Sequence, residues 1–201
     1  MDRLRPDEMV MLRRFVKIFA CVGFLAGCSP PGGLLVSESA DPIGGNLFVE
    51  TTTEGEQFLV LDGEITSETS YAFQVMLEQA DVEGLVIAQS PGGDLLAAHQ
   101  VGRAIKANGI NTVVLVSCIS ACVDIFIAGE IREMTDIAEL GPHSATDRDF
   151  AYEIDRRYWG ELGFSRVNEK AYLVPNNQLW IISAARARQL RLATNVITRD
   201  G

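Results

Sequence analysis

Two hydrophobic patterns alternate along the chain. Continuous apolar runs at residues 85–88 and 113–116, the second within a predicted strand at 112–116, are typical of buried parallel strands. Between them, the apolar positions of residues 95–105 recur at helical spacing after Asp94, a residue type that caps helices. This part of the chain is therefore predicted to run strand, turn, helix, strand.

The same alternation extends to both sides of this segment. Strands that alternate with helices favour an α/β domain with a mostly parallel sheet and right-handed crossovers. A chain of 201 residues is long enough for one such domain with a substantial core. Further strands are predicted at residues 47–53, 57–62, 131–134 and 193–198, and further helices at 66–80, 121–128, 149–162, from 165 onward and at 184–190.

Residues 1–27 have a different pattern, which predicts a targeting segment. Basic residues precede an apolar run at 18–26 that is too short to span a bilayer comfortably. The run ends in Leu-Ala-Gly-Cys at Cys28, which resembles a bacterial lipobox and implies cleavage before Cys28 and lipidation of its thiol. An ordinary signal peptide or an uncleaved anchor is the alternative interpretation.

The lipobox determines the expected layout of the remaining chain. Residues 28–46 are rich in proline and glycine and predict a tether, which leaves residues 47–201 as the domain. We expect this domain outside the cytoplasm, with the lipid on Cys28 anchoring it to a membrane of a bacterial cell envelope. Ser29, rather than an acid, follows Cys28, and by resemblance to other lipoproteins this favours the outer membrane.

The charge of the chain excludes one class of partner. The net charge is −10, and basic residues cluster before Cys28, so the predicted domain is strongly acidic. Because it would repel phosphate backbones, no nucleic-acid binding is expected. The sequence also has no metal-ligand spacing or phosphate-binding loop, so neither a metal nor a cofactor is predicted.

Three short motifs predict a serine acyl-transfer site. A Ser-Pro-Gly-Gly turn at residues 90–93 follows one strand, Ser120 follows the next strand, and His143 comes after a Gly-Pro pair. Because the carboxyl ends of parallel strands meet at one edge of a sheet, these residues are expected to lie close together. Ser120 is then the candidate nucleophile and His143 the candidate general base. Taken singly, the motifs are also typical of a tight turn, a helix N-cap and a partly buried polar residue.

Four other polar residues near these motifs leave simpler interpretations open. Cys118 and Cys122 flank Ser120, and they form either a disulfide around a very small loop or two buried apolar contacts. His99 lies in the middle of a predicted helix and is interpreted as a surface or packing residue. Asp124 follows Ser120 on the next helix and is interpreted as a polar residue of the surface or of an interface, rather than of the site.

The motifs together resemble the Clp protease/crotonase superfamily, and above all its uncharacterised periplasmic Clp-protease-like members. The resemblance covers residues 47–198 and implies a spiral of repeated β-β-α units, often assembled into trimers or hexamers. The matching segments are residues 62–65, 89–93, 118–122, 140–143, 161–165 and 182–194.

The resemblance also implies a role for individual residues. It makes Ser120 the nucleophile and His143 the general base, with an oxyanion hole formed by the N–H groups of Gly93 and Ala121. Clp-type peptidases place an aspartate before the final serine-capped helix, but this region of the chain reads Pro-Asn-Asn-Gln at residues 175–178.

The missing aspartate leaves two functions open. Asn176 or Asn177 is the candidate for orienting His143, as asparagine does in papain-like sites. With such a site, the chain is a membrane-tethered serine hydrolase, and a peptidase acting on peptides or proteins fits best. Without it, the chain is an inactive Clp-like lipoprotein that acts as a binding or scaffold module. A crotonase-type hydratase fits less well, because those enzymes usually use carboxylate bases and need a cytosolic cofactor.

Overall fold

The computed structural model describes residues 36–37, 39–52 and 55–198. Within these residues, nine strands form one mixed sheet and six helices pack around it. The predicted signal peptide, the lipidation site at Cys28 and residues 29–35 and 38 of the predicted tether lie outside the described residues. Across the described part, no helix is both long enough and apolar enough to cross a membrane.

Strands and helices alternate through most of the chain. The strands are β1 (Asp41–Gly44), β2 (Leu47–Thr51), β3 (Gln57–Asp62), β4 (Gly84–Ser90), β5 (Asn111–Ile119), β6 (Arg132–Thr135), β7 (Glu139–Gly141), β8 (Ile182–Ser183) and β9 (Asn195–Ile197). The helices are α1 (Ser67–Gln79), α2 (Leu95–Asn108), α3 (Cys122–Ile127), α4 (Arg148–Glu161), α5 (Ser165–Ala171) and α6 (Ala184–Gln189).

The sheet is mostly parallel, as the sequence predicts. Its strand order is β1-β2-β3-β4-β5-β6-β9, with β7 beside the second half of β5 and β8 beside β7. The pairs from β3 to β6, the β5–β7 pair and the β6–β9 pair are parallel, and β1–β2, β2–β3 and β7–β8 are antiparallel. The predicted α/β class with a mostly parallel sheet is confirmed.

The sheet begins earlier than the sequence predicts. We expected a tether up to residue 46, but Asp41–Gly44 forms β1 and pairs antiparallel with β2. Gly44 ends β1, and Gly45 and Asn46, both with positive φ, form the turn that joins the two strands. The glycines that we interpreted as part of a tether therefore make a β-hairpin.

Buried side chains on both faces explain the continuous apolar runs of the central strands. Leu61, Ile87 and Val114 are fully buried on the face that the helices cover. Val86 and Val113 belong to a smaller apolar cluster of strand side chains. Since successive residues of a strand point to opposite faces, runs without polar residues indicate a sheet buried on both sides.

One strand divides the sheet and positions the candidate site. The first half of β5 pairs with β6, while its last residues, from Ser117 to Ile119, pair with β7. Strand β4 lies on the other side of β5, also parallel to it. The carboxyl ends of β4, β5 and β7 therefore meet at one edge, and the three predicted motifs follow these three ends.

Candidate active site

Ser120 occupies a tight turn between β5 and α3, which we call the serine turn (residues 118–122). Its φ is +54°, in the left-handed region that residues other than glycine seldom adopt. The Ser120 N–H donates to the Gly141 carbonyl at 3.0 Å, and its carbonyl accepts from the Val123 N–H at 2.9 Å. Backbone bonds on both sides thus hold this residue in a conformation that L-amino acids otherwise avoid, a type of strain that is concentrated at functional sites.

Gly92 lies directly against the serine turn. Its φ is +92°, and a Cβ added there would lie 2.6 Å from the Ile119 carbonyl oxygen and 2.7 Å from the Ser120 Cβ. The same Cβ would lie 3.0 Å from the Ala121 nitrogen. Only glycine allows the Ser-Pro-Gly-Gly turn to approach the nucleophile candidate this closely.

Two backbone N–H groups are available beside Ser120. Gly93 forms a β-bridge with Ile65, but this bridge uses the Gly92 carbonyl and the Asp94 N–H, at 2.8 and 2.9 Å. The Gly93 N–H and the Ala121 N–H have no backbone acceptor among the described residues. These are the two groups that the resemblance assigns to an oxyanion hole.

A disulfide closes the serine turn. Cys118, in β5, is bonded to Cys122, the first residue of α3, and their Cα atoms lie 5.2 Å apart. The structure therefore has the bridged form of the two that the sequence leaves open. The covalent link spans the residues on either side of Ser120.

The candidate base lies on a loop after β7, which we call the histidine loop (residues 142–147). The loop is attached to the segment that precedes β8 by two backbone hydrogen bonds. The Pro142 carbonyl accepts from the Trp180 N–H at 3.2 Å, and the Ser144 N–H donates to the Val174 carbonyl at 3.0 Å. These bonds bring the Asn-Asn pair next to the histidine loop.

The contacts of His143 determine which ring nitrogen carries the proton. Its Nδ1 lies 2.8 Å from the Ser144 carbonyl oxygen, so Nδ1 carries a hydrogen and donates it. In the neutral ring, Nε2 is then left with a free lone pair, as a general base requires. The described contacts of His143 include no hydrogen bond to Ser120.

Of the two asparagine candidates, the structure brings Asn176 to the histidine. Asn176 Nδ2 donates to the same Ser144 carbonyl at 3.1 Å and lies 3.4 Å from His143 Nδ1. Asn177 is exposed and lies outside the lining of the site. Asn176 therefore supports the carbonyl that orients the ring.

All but one of the predicted catalytic and oxyanion residues share one cavity of about 340 Å³. The exception is Asn177, and the five that line it are Gly93, Ser120, Ala121, His143 and Asn176. A wider groove of about 840 Å³ between α4 and α5 contains none of them. The candidate site is thus a single concave region at the carboxyl edge of the sheet, where open α/β folds bind ligands.

A buried ionic cluster, which the sequence analysis missed, lies beneath the cavity. His99 is 1% exposed, and its Nε2 lies 3.0 Å from Asp155 Oδ1 and 3.6 Å from Asp124 Oδ2. Both aspartates line the cavity. Of the two interpretations of His99, the packing residue is the one that the structure has. The interpretation of Asp124 as a surface or interface residue is wrong, because it is 4% exposed and three helices pack these side chains together.

Burial and the interaction between the histidine and the two carboxylates shift the pKa values in this cluster. Burial lowers the pKa of His99, but the Asp124 and Asp155 carboxylates outweigh it and raise the pKa to about 9. Burial raises the pKa of Asp124 to about 6, although hydrogen bonding to its carboxylate acts in the opposite direction. The sequence did contain one signal for this cluster. His99, Asp124 and Asp155 are polar residues, and each lies on a mostly apolar face of its helix.

Comparison with solved structures finds the same fold in several proteases. ClpP1 from Listeria monocytogenes is 18% identical, with a TM-score of 0.57, over 70% of this chain and 91% of that one. The ClpP protease catalytic domain from Plasmodium falciparum is 17% identical, with a TM-score of 0.55, over 69% and 83%.

A membrane-bound protease has a similar structure. The 1510-N membrane-bound stomatin-specific protease, solved as a serine-to-alanine mutant, is 17% identical with a TM-score of 0.53, over 69% of this chain and 77% of that one. No protein-family profile matches the sequence, and no curated protein matches it. The chain therefore has the fold of ClpP-type proteases, which confirms the predicted Clp protease/crotonase architecture.

Proposed function

We propose that this chain is a serine peptidase with Ser120 as nucleophile and His143 as general base. The observation that carries the proposal is the shared cavity, which contains both side chains and the free N–H groups of Gly93 and Ala121. The left-handed turn at Ser120 supports it further, because strained nucleophile turns expose the hydroxyl at the end of a sheet.

The proposed reaction follows from the positions of these groups. His143 Nε2 takes the Ser120 hydroxyl proton while Oγ attacks the carbonyl carbon of the substrate. The Gly93 and Ala121 N–H groups bind the oxyanion that forms, and each such donor typically contributes about 2.7–4 kcal/mol to transition-state binding. The imidazolium returns the proton to the leaving amine, and water then hydrolyses the acyl-enzyme with His143 again as base.

His143 is oriented here without a carboxylate. The Ser144 carbonyl accepts from Nδ1 at 2.8 Å, and Asn176 holds that carbonyl at 3.1 Å. A neutral carbonyl fixes the tautomer as an aspartate does, but it stabilises the imidazolium less. We therefore expect slower turnover than in an otherwise equal site with an aspartate.

The walls of the cavity favour an apolar side chain in the substrate. Leu96 and Phe150 line it and remain 48% and 60% exposed. Large apolar side chains that stay exposed at a cavity gain free energy when a ligand covers them. A library of internally quenched peptides measures this preference, with faster cleavage of peptides that carry an apolar residue next to the scissile bond.

Labelling with a fluorophosphonate tests the nucleophile directly. The full chain, purified in detergent, is expected to react at Ser120, with the modified peptide located by mass spectrometry. Ser120→Ala should abolish labelling, while Ser67→Ala, at an exposed position on α1, should leave it unchanged. Folded wild-type protein that neither reacts nor cleaves any peptide of the library would favour the inactive binding module instead.

We also propose that the protein is lipid-anchored outside the cytoplasm. The lipobox-like residues before Cys28 support this, together with the oxidised cysteine pair, since disulfides form outside the reducing cytosol. Metabolic labelling with an alkyne fatty acid is expected to mark the wild type and not Cys28→Ser. Equal labelling of both would contradict the lipid site, and protease protection in spheroplasts would report the side of the membrane.

Assembly into a trimer or hexamer is a further proposal, supported only by the resemblance to Clp-type proteins. Size-exclusion chromatography with light scattering of the detergent-purified chain is expected to give three or six copies per particle. A monomer over the whole concentration range would contradict this assembly.

A further inference from the structure

The peptidase proposal does not use the buried cluster of His99, Asp124 and Asp155. The three residues come from α2, α3 and α4, and their side chains are only 2%, 6% and 9% exposed. The sequence positions are too far apart to form a short metal-binding motif, so the cluster exists only in the folded chain.

One oxygen of each carboxylate is already occupied by a neutral donor. Trp159 Nε1 donates to Asp124 Oδ1 at 2.6 Å, and the Tyr172 hydroxyl donates to Asp155 Oδ2. The other two oxygens, Asp124 Oδ2 and Asp155 Oδ1, face His99 Nε2. Supporting bonds that hold one carboxylate oxygen and free the other are typical of the surroundings of metal ligands.

A protonated His99 compensates the charges of the two carboxylates only in part. Its Nε2 carries one hydrogen and faces two carboxylates, and one imidazolium leaves one of the two negative charges uncompensated. Among the described residues, neither His99 Nε2 nor Asp155 Oδ1 has a partner with hydrogen-bond geometry, although they lie 3.0 Å apart. Buried charges without full compensation are costly, whereas a divalent cation would balance both carboxylates.

The spacing of the three atoms suits a single small cation. Bonds of about 2.1 Å at tetrahedral angles separate neighbouring ligand atoms by about 3.4 Å. The two separations from His99 Nε2, 3.0 and 3.6 Å, lie on either side of that value. All three ligand atoms lie within 4.8 Å of one another.

We propose that His99 Nε2, Asp124 Oδ2 and Asp155 Oδ1 bind one divalent transition-metal ion of the zinc class. Imidazole and carboxylate ligands suit Zn²⁺ and its neighbours in the first transition row. The ion takes the place of the proton on Nε2, and its fourth ligand is a water on the side of the cavity that Asp124 and Asp155 line. It links α2, α3 and α4 beneath the site.

Metal titration of the untagged full chain tests the proposal. The protein is stripped with EDTA and titrated with ZnCl₂ by calorimetry, and its thermal denaturation is followed with and without Zn²⁺. We expect one strong site per chain and a higher Tm with zinc. Asp155→Asn and His99→Gln should weaken binding on the order of 100-fold. Asp149→Asn, an exposed aspartate on the same helix as Asp155, should leave it unchanged.

Cobalt gives a second readout that needs no variant. Co²⁺ in a four-coordinate site has intense visible absorption, so the stripped wild type should become coloured at one equivalent and lose the colour when Zn²⁺ is added. The absence of stoichiometric zinc and cobalt binding in folded wild type would overturn the proposal. Zinc binding that persists undiminished in both Asp155→Asn and His99→Gln would overturn it as well.

These readouts are independent of catalysis. A protein that labels at Ser120 but binds no metal would retain the peptidase proposal and lose this one. A protein that binds one zinc but does not react with the fluorophosphonate would do the reverse.

Discussion

The serine turn and the histidine loop hold their candidate residues in very different ways. The serine turn is closed by the Cys118–Cys122 disulfide, backed by Gly92 and followed by a helix in which every residue is buried. The histidine loop is attached mainly by two backbone hydrogen bonds to the segment before β8 and ends in a run of exposed residues.

The difference indicates which half of the site can adjust. Ser120 sits in a turn that the backbone, a covalent bond and a close glycine all determine. His143 is only partly buried, and its ring is fixed by one carbonyl and the Asn176 side chain behind it. Catalytic hydrogen bonds often tighten only when substrate binds, so we expect the histidine side to move toward the serine side. Changes to the serine turn should therefore have the larger effects.

The largest effect is expected from Gly92→Ala. Its Cβ would meet the Ile119 carbonyl and Ser120 Cβ well inside contact distance, so the serine turn must shift. A misplacement of about 1 Å can lower activity about 100-fold, and we expect at least that loss in kcat/KM. The matched control is Gly163→Ala, with a similar φ of +84° but no atom within 4 Å of the added Cβ. It should cost about 1 kcal/mol of stability and leave activity intact.

Removing the disulfide should have the next largest effect. The double variant Cys118→Ala, Cys122→Ala frees a very small loop, for which chain entropy predicts a loss of about 2 kcal/mol in the free energy of unfolding. Urea denaturation of wild type and variant measures this, and kcat should fall because the serine turn is less well fixed. Reducing agent should lower the free energy of unfolding of the wild type to that of the variant and leave that of the variant unchanged. Equal stability of all four samples would contradict the prediction.

The smallest effect is expected on the histidine side. Asn176→Ala removes the bond to the Ser144 carbonyl at 3.1 Å, but the bond from His143 to that carbonyl remains. We expect about a 10-fold fall in kcat/KM, equivalent to about 1.4 kcal/mol, with little change in the thermal denaturation curve. Asn177→Ala is the control, because this exposed neighbour lies outside the cavity. A larger fall in kcat/KM for Asn176→Ala than for Gly92→Ala would reverse the comparison between the two regions.

Local patterns in the sequence predicted the sheet and the main site residues. The apolar runs of β4 and β5 identify buried parallel strands, and the residues after such strands necessarily meet at one edge. Asp94 caps its helix as expected, because capping depends on nearby residues. These features need no information about distant contacts.

The features that depend on distant contacts were not predictable in the same way. His99 lies near Asp124 and Asp155 only because α2, α3 and α4 pack together, and nothing in the helical spacing of α2 indicates a charged partner. The choice between Asn176 and Asn177 depends on how the Val174 and Trp180 backbone bonds turn the chain. Strand β1 was missed because its Pro and Gly composition is also typical of a tether.

The register of the β5–β7 pair determines how far Ser120 lies from His143. Ile119 lies opposite Gly141, so Ser120 is one residue beyond this pair on its strand and His143 is two residues beyond it on the other. The separation between nucleophile and base is thus counted in backbone steps of about 3.3 Å. A single residue inserted or deleted between β7 and His143 would shift the base by one step. Variation in length among relatives should therefore be absent from this short segment, even where their sequences have diverged.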